Sequence, residues 1–221
     1  MRKSVQFLLL FLMCISASWT WASDAPERTV LFNMGDYDSQ YWRIPALVTA
    51  ADNSLVAVVD KRGSSLGDLP NTISIMSRRS TDNGKNWSEP VVVAQGGNGK
   101  TYGDPAVVLD KKTGNLICMF VGDQGLWNAT PYNRQGIYVS KSTDNGVSWS
   151  EPVAITDQVY ANHSGWYAGF AGSGHGLCLK DGRLMFVLAI RATSATGVPL
   201  HNYAIYSDDG GDNWTLSTNA A

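Results

Sequence analysis

The sequence predicts an all-β fold of the β-propeller type, with about three blades, on three observations. The octet Ser-x-Asp-x-Gly-x-x-Trp occurs three times, as Ser80–Trp87 (STDNGKNW), Ser142–Trp149 (STDNGVSW) and Ser207–Trp214 (SDDGGDNW), with the tryptophans 62 and then 65 residues apart. A fixed period of this size marks one supersecondary unit stacked repeatedly. Each repeat holds short runs rich in Val, Ile and aromatics, separated by Gly, Asn or Asp, which read as strands and turns. Helical periodicity is missing outside the first residues of the chain. Four antiparallel strands per repeat, repeated radially, describe a propeller; a solenoid of sheets is the alternative architecture.

The chain of 221 residues opens with Arg2 and Lys3, an apolar run over Val5–Ile15 broken by Gln6, and small residues that allow cleavage after Ala22. This is the pattern of a secretory signal, and the run is too short to span a bilayer. Residues 1–22 are therefore expected to be a signal peptide and 23–221 the processed part, exported to the periplasm, cell surface or medium. Later segments hold no apolar stretch long enough for a membrane span. Formal net charge is −2, which offers no nucleic-acid surface. Charged residues make up 16% of the chain, below the ~25% usual for soluble proteins, and Gly (22) and Trp (8) are abundant, as short strands with many tight turns require.

The first repeat reads as strands over Ala46–Ala50, Leu55–Asp60, Thr72–Arg78 and, past its octet, Pro90–Ala94. The second reads as Pro105–Asp110, Leu116–Val121, Gly136–Lys141 and Pro152–Ile155. The third reads as Gly176–Leu179, Arg183–Ile190 and Asn202–Ser207. Within each octet the Asp carboxylate can accept backbone N–H groups two or three residues on, Gly supplies a positive φ, and the Ser hydroxyl can tie the turn to the strand before it. Trp is too large for an ordinary turn residue and is expected to anchor the turn to the blade core. One carboxylate per copy falls short of the oxygen count of a calcium site, so no metal is expected there. Cys118 and Cys178 lie in apolar strand-like runs and read as buried free thiols, with a single disulfide as the alternative. The sequons at Asn86, Asn128, Asn162 and Asn213 matter only in a host that glycosylates its exports.

Longer connections join second to third strands (Arg62–Asn71, Gly122–Gln135, Arg191–His201) and one blade to the next (Gln95–Asp104, Asp157–Ser173). Loops of this length on a rigid scaffold are where function collects. Arg43, in Tyr41-Trp42-Arg43-Ile44-Pro45, is a cation fixed in direction by its neighbours, and its planar fork suits a carboxylate. Arg62 and Asp68 share the loop Lys61-Arg62-Gly63-Ser64-Ser65-Leu66-Gly67-Asp68, whose glycines allow both to turn toward the propeller axis. An Asp in a pocket can act as a general acid.

Arg-Ile-Pro, then Arg…Asp, then an Asp-box octet, in that order over Arg43–Trp87, resembles the exo-α-sialidases (neuraminidases) of the bacterial secreted type. The resemblance extends from about Val30 onward and includes Tyr102-Gly103-Asp104-Pro105-Ala106 and Gly172-Ser173-Gly174-His175-Gly176-Leu177. It implies a six-bladed propeller that removes terminal sialic acid from glycoconjugates with retention of configuration and without a cofactor. In that family three arginines clamp the substrate carboxylate, and Arg43 matches the first. A Tyr activated by a Glu is the nucleophile, an exception to the two-carboxylate scheme. Asp68 matches the acid/base, Arg62 the arginine near the sugar 4-hydroxyl, and Asp104 approaches the same side. Trp127 can wall the N-acetyl pocket, or equally be a rim or core aromatic. Trp166 and Tyr167 fall on the aglycone side by this reading, and His175 reads as a strand or turn residue.

The family's Tyr, Glu and other two arginines match no position here, and Tyr203 and Tyr206 read as strand residues. The expectation is a sialidase-like chain with half a site, inactive alone. A noncatalytic propeller that binds sialylated glycans, and a short product that dimerises to close a ring, are the alternatives. Oligomeric state and linkage preference are open.

Overall fold

The computed structural model describes residues 28–63, 65–172, 174–192 and 200–218. The segment read as an export signal lies outside them, as does most of the Arg191–His201 connection. The described chain is three sheets in succession, antiparallel except for one short parallel edge pairing on the second. The first blade is β1 (Trp42–Thr49), β2 (Leu55–Lys61), β3 (Ser74–Ser80) and β4 (Val91–Ala94), hydrogen-bonded in that order. The second is β5 (Tyr102–Leu109), β6 (Leu116–Gly122), β7 (Gly136–Ser142) and β8 (Val153–Ala154). The third is reached through a helical turn, α1 (Thr156–Tyr160), and contains β9 (Trp166–Ala171), β11 (Leu177–Cys178), β12 (Leu184–Ala192), β13 (His201–Ser207) and β14 (Thr215–Leu216), while β10 (Gly174–His175), between β9 and β11 in the chain, joins the edge of the second sheet.

Stacking of blades explains the sequence of β6. Its residues Leu116–Gly122 are all buried, an unbroken apolar run of the kind a strand covered on both faces requires. Alternate side chains leave on opposite faces. Leu116, Cys118 and Phe120 join Val56, Val58 and Ile75 of the first blade in one core. Ile117 and Met119 join Leu184, Phe186 and Leu188 of the third blade in another. Cys118 is a buried free thiol as expected, and Cys178 is free and only partly buried.

The octets are turns held as their chemistry predicts. In the first, Ser80 Oγ donates to Asp82 Oδ1 (2.9 Å) and accepts Gly84 N–H (2.9 Å), while Asn86 N–H donates to Asp82 Oδ1 (2.8 Å). The same bonds recur for Ser142–Asp144–Gly146–Ser148 and Ser207–Asp209–Gly211–Asn213. These donors, the Asn86 and Asn213 amides first, hold the Asp82 and Asp209 carboxyls down at about 2. The tryptophans differ by neighbourhood. Trp214 is buried against Phe186. Trp149 donates Nε1–H to Ser77 Oγ of the preceding blade at 2.9 Å. Trp87, in the first described blade, stays half-buried and bonds Gly84 O within its own turn (3.0 Å).

Two elements correct the sequence reading. The Asp157–Ser173 stretch, expected to be a plain connection, contains α1 and the strand β9, which pairs with β12 over Ala171↔Leu188 to Trp166↔Ala192. The first strand of the third blade is thus split. Its middle swings out so that Gly174 and His175 pair in parallel with Ala106 and Val107 of β5, placing His175 in a strand. Arg43 likewise lies inside β1 and not ahead of it.

Candidate active site

The inner strands of the first two blades carry the same bulge. In β1 the register jumps between Arg43↔Asp60 and Ala46↔Val58, and in β5 between Gly103↔Val121 and Ala106↔Met119. Two residues on the bulged strand oppose one on the partner, which re-aims the side chains beside it. Each bulge ends in a proline, which has no N–H to lose from the ladder. The residue before each proline is left-handed, Ile44 at φ 55° and Asp104 at φ 57°; Gly174 takes the corresponding place in the third blade at φ 116°. For β-branched Ile44 this conformation is strained by about 1–3 kcal/mol, a cost found where backbone geometry is held for function.

The bulges and the loop 62–73 surround a cavity of about 240 Å³, lined by Arg43, Arg62, Asp68, Asp104 and Trp127 together with Leu69, Ile73, Leu126, Gln135 and Phe170. All five residues singled out from the sequence therefore meet at one place. Asp68 Oδ1 accepts Arg62 Nη1–H at 2.6 Å and Arg43 Nη1–H at 3.1 Å. The Asp68 side chain is 70% exposed, Arg43 43% and Arg62 only 2%. Arg62 is fixed further by the Leu66 and Gly67 carbonyls, and it donates Nε–H (3.1 Å) and Nη2–H (2.8 Å) to Asp60 Oδ2.

These contacts are unequal. Removing one partner of a buried pair such as Arg62–Asp60 costs about 3–5 kcal/mol, whereas an exposed pair such as Arg43–Asp68 is worth about 0–1 kcal/mol. Arg62 is a fixed post, and Arg43 and Asp68 can separate to admit an anion.

Asp60, on β2, went unnoticed in the sequence. It is fully buried. Its Oδ1 accepts the Asp104 backbone N–H at 3.1 Å, so one carboxylate holds both Arg62 and the left-handed residue of the next blade. Donors on both oxygens suit the ionised form. Burial foremost, then the Asp104 charge, nevertheless push the Asp60 carboxyl up to about 7, against the pull of Arg62. Asp104 is raised as well, by burial, with Arg62 opposing. For Arg62 burial pulls downward, but the Asp68 hydrogen bond and the Asp60 charge outweigh it and raise its pKa.

The far wall is apolar and comes from the loop 123–135. Trp127 is 62% exposed, at the rim and not in the core. Arg191 of β12 fastens this loop by donating from Nη1 to Leu126 O (2.7 Å) and Trp127 O (3.1 Å), with its guanidinium between the rings of Trp127 (5.4 Å) and Tyr167 (5.0 Å). Tyr167 is thus a buried support, and Trp166 stacks on His163 at 3.7 Å and packs on Tyr203; neither lines the cavity. A Tyr–Glu pair exists among the described residues, Tyr37 Oη donating to Glu89 at 3.0 Å, but it is also off the cavity. No group of three or more His, Cys, Asp or Glu side chains among the described residues could hold a metal ion.

A bladed all-β scaffold whose inner strands carry a cavity of two arginines, two aspartates and an apolar wall defines a class, and comparison with known proteins places the chain in it. Residues 44–221 match the family described as a BNR repeat-like domain, and the chain belongs to that family. Among the curated proteins it resembles are bacterial sialidases. The chain is 34% identical over 201 residues to the sialidase of Bacteroides fragilis, covering 82% of this chain and 36% of that one. It is 34% identical to the sialidase of Micromonospora viridifaciens, covering 78% and 28%. Among solved structures, Hadza microbial sialidase Hz136 superposes with a TM-score of 0.75 at 30% identity, over 85% of this chain and 39% of that one. The fold is accordingly part of a sialidase-type propeller. The chain spans between about a quarter and about half of the length of the curated relatives it matches.

Proposed function

We propose that the protein is an exo-α-sialidase that releases terminal α-linked sialic acid from glycoproteins, glycolipids and oligosaccharides with retention, and that this chain supplies the acid/base half of its site. The observation that carries the reading is the meeting of Arg43, Arg62 and Asp68 through one carboxylate oxygen at a cavity of monosaccharide dimensions. Sialic acid bears a carboxylate on its anomeric carbon. Arg43, exposed and weakly engaged, turns from Asp68 to that carboxylate. Asp68, released from Arg43, lies on the exposed side where a leaving group departs; it protonates the glycosidic oxygen and later takes the proton of the attacking water. Arg62 and Asp104, both anchored by Asp60, meet the hydroxyl side of the ring, and Trp127 walls the acyl side.

The tyrosine nucleophile, its glutamate and two further arginines belong to parts of the protein outside this sequence, so the 221-residue chain alone releases nothing. Export through residues 1–22 and action on extracellular glycoconjugates complete the proposal. The test is proton NMR of sialyl-lactose treated with the complete protein. Retention requires the α-anomer of free sialic acid to appear first. Absence of release, with binding retained, favours a noncatalytic glycan-binding propeller.

A further inference from the structure

Gln135 closes the loop 123–135 at the start of β7 and is 2% exposed, yet it lines the cavity. Its backbone N–H donates to Tyr167 O (2.9 Å), and its side-chain Oε1 accepts Gly169 N–H at 3.1 Å. The second bond sets the side-chain amide: the atom facing a backbone N–H must be the oxygen, so Nε2 points the other way. Among the described residues Nε2 has no hydrogen-bond partner. It is also not among the fully enclosed unpartnered atoms, which are Arg134 Nε, Tyr160 Oη and Arg191 Nε. The open space it meets is the cavity, beside Leu126, Trp127 and Phe170. Open to the cavity and bonded to no protein group, its two N–H donors are free for a ligand acceptor.

We infer that Gln135 is a substrate-contacting, specificity-determining residue whose Nε2 donates to the carbonyl oxygen of an N-acyl substituent, while the acyl methyl lies on Trp127 and Leu126. The apolar wall alone would accept any small group. A donor set in that wall requires an acceptor at one position, which distinguishes an acylamino sugar from one carrying a hydroxyl there. Gln135 is held in place by the third blade through Gly169, so the selectivity is built in before substrate arrives. This inference rests on the sialidase reading above.

The test compares, in the complete protein, kcat/KM for two aryl α-glycosides of nonulosonic acids, one N-acetylated at C5 and one with a hydroxyl there. Gln135→Met removes the amide at similar length. Gln135→Glu, assayed at pH 8, keeps an acceptor for Gly169 and guards against loss of fold, which thermal unfolding checks. Wild type should prefer the N-acetylated glycoside, and in both variants that preference should shrink about tenfold, the effect of one lost hydrogen bond. An unchanged ratio in a folded variant overturns the role of Gln135 and leaves the sialidase reading standing. Release from neither glycoside by wild type overturns the sialidase reading, and with it this one.

Discussion

Replacing the glycine at the fifth octet position by alanine should cost different amounts in the three octets, although the local turn is the same. Gly84, Gly146 and Gly211 have φ of 86°, 84° and 84°. An L-residue in this region costs about 1–2 kcal/mol, and that part is common to all three. The surroundings differ. A Cβ on Gly84 would meet Leu55 Cδ1 at 3.7 Å and the Trp87 ring at 3.9 Å, ordinary contacts within the same blade. On Gly211 it would meet Ile117 Cγ2 of the preceding blade at 3.4 Å. On Gly146 it would lie 2.7 Å from Val56 Cγ2 of the preceding blade, a side chain with no exposure and no room to yield. Overpacking of that kind adds about 1–3 kcal/mol. Taking about 3 °C per kcal/mol for a domain of this size, Gly84→Ala should then lower Tm by about 3–6 °C and Gly146→Ala by about 6–15 °C. Gly211→Ala should fall between. Thermal unfolding followed by circular dichroism reads all three. Equal shifts would mean that the octets are independent turns and not contacts between stacked blades.

Acid should erode the octets at a defined point. Asp82 and Asp209 are lowered from 3.8 to about 2, so their contribution is fully present above about pH 4 and is lost as pH falls toward 2. Wild-type Tm should fall over that interval, and an Asp82→Asn, Asp209→Asn double variant should show a flatter slope there; identical slopes would contradict the assignment. Arg191→Met should free the loop 123–135. Its amides should exchange with deuterium at least tenfold faster while those of β6 stay protected, and unchanged loop exchange would mean that Arg191 does not hold it. The 221-residue chain alone should release no fluorogenic aglycone from a sialoside, and release near the rate of the complete protein would refute the division of the site proposed above.

What the sequence disclosed and what it hid follow from how local each signal is. The octets are self-contained turns, so their bonds could be inferred from eight residues. Arg43, Arg62 and Asp68 lie within one hairpin and its flanking loop, and their order along the chain brings them together. Asp60 was invisible because its meaning comes from a partner in the next blade, the Asp104 amide. Gln135 and Arg191 were missed likewise, since the loop 123–135 belongs to the second blade and the strands that hold it to the third. The strand β9 escaped because its glycine and aromatics read as connection; pairing with β12 makes it a strand. The five-residue α1 is too short to show a helical period.

Leaving-group dependence in the Asp68→Asn variant of the complete protein decides whether Asp68 is the acid/base of a sialidase site. For a natural sialoside with a poor leaving group, turnover should drop by about 10²–10⁴-fold. For an aryl sialoside whose leaving group needs no proton, the loss in the glycosylation step should be far smaller. If Asp68→Asn cleaves natural sialosides as the wild type does, or loses both substrates equally, Asp68 does not donate the proton.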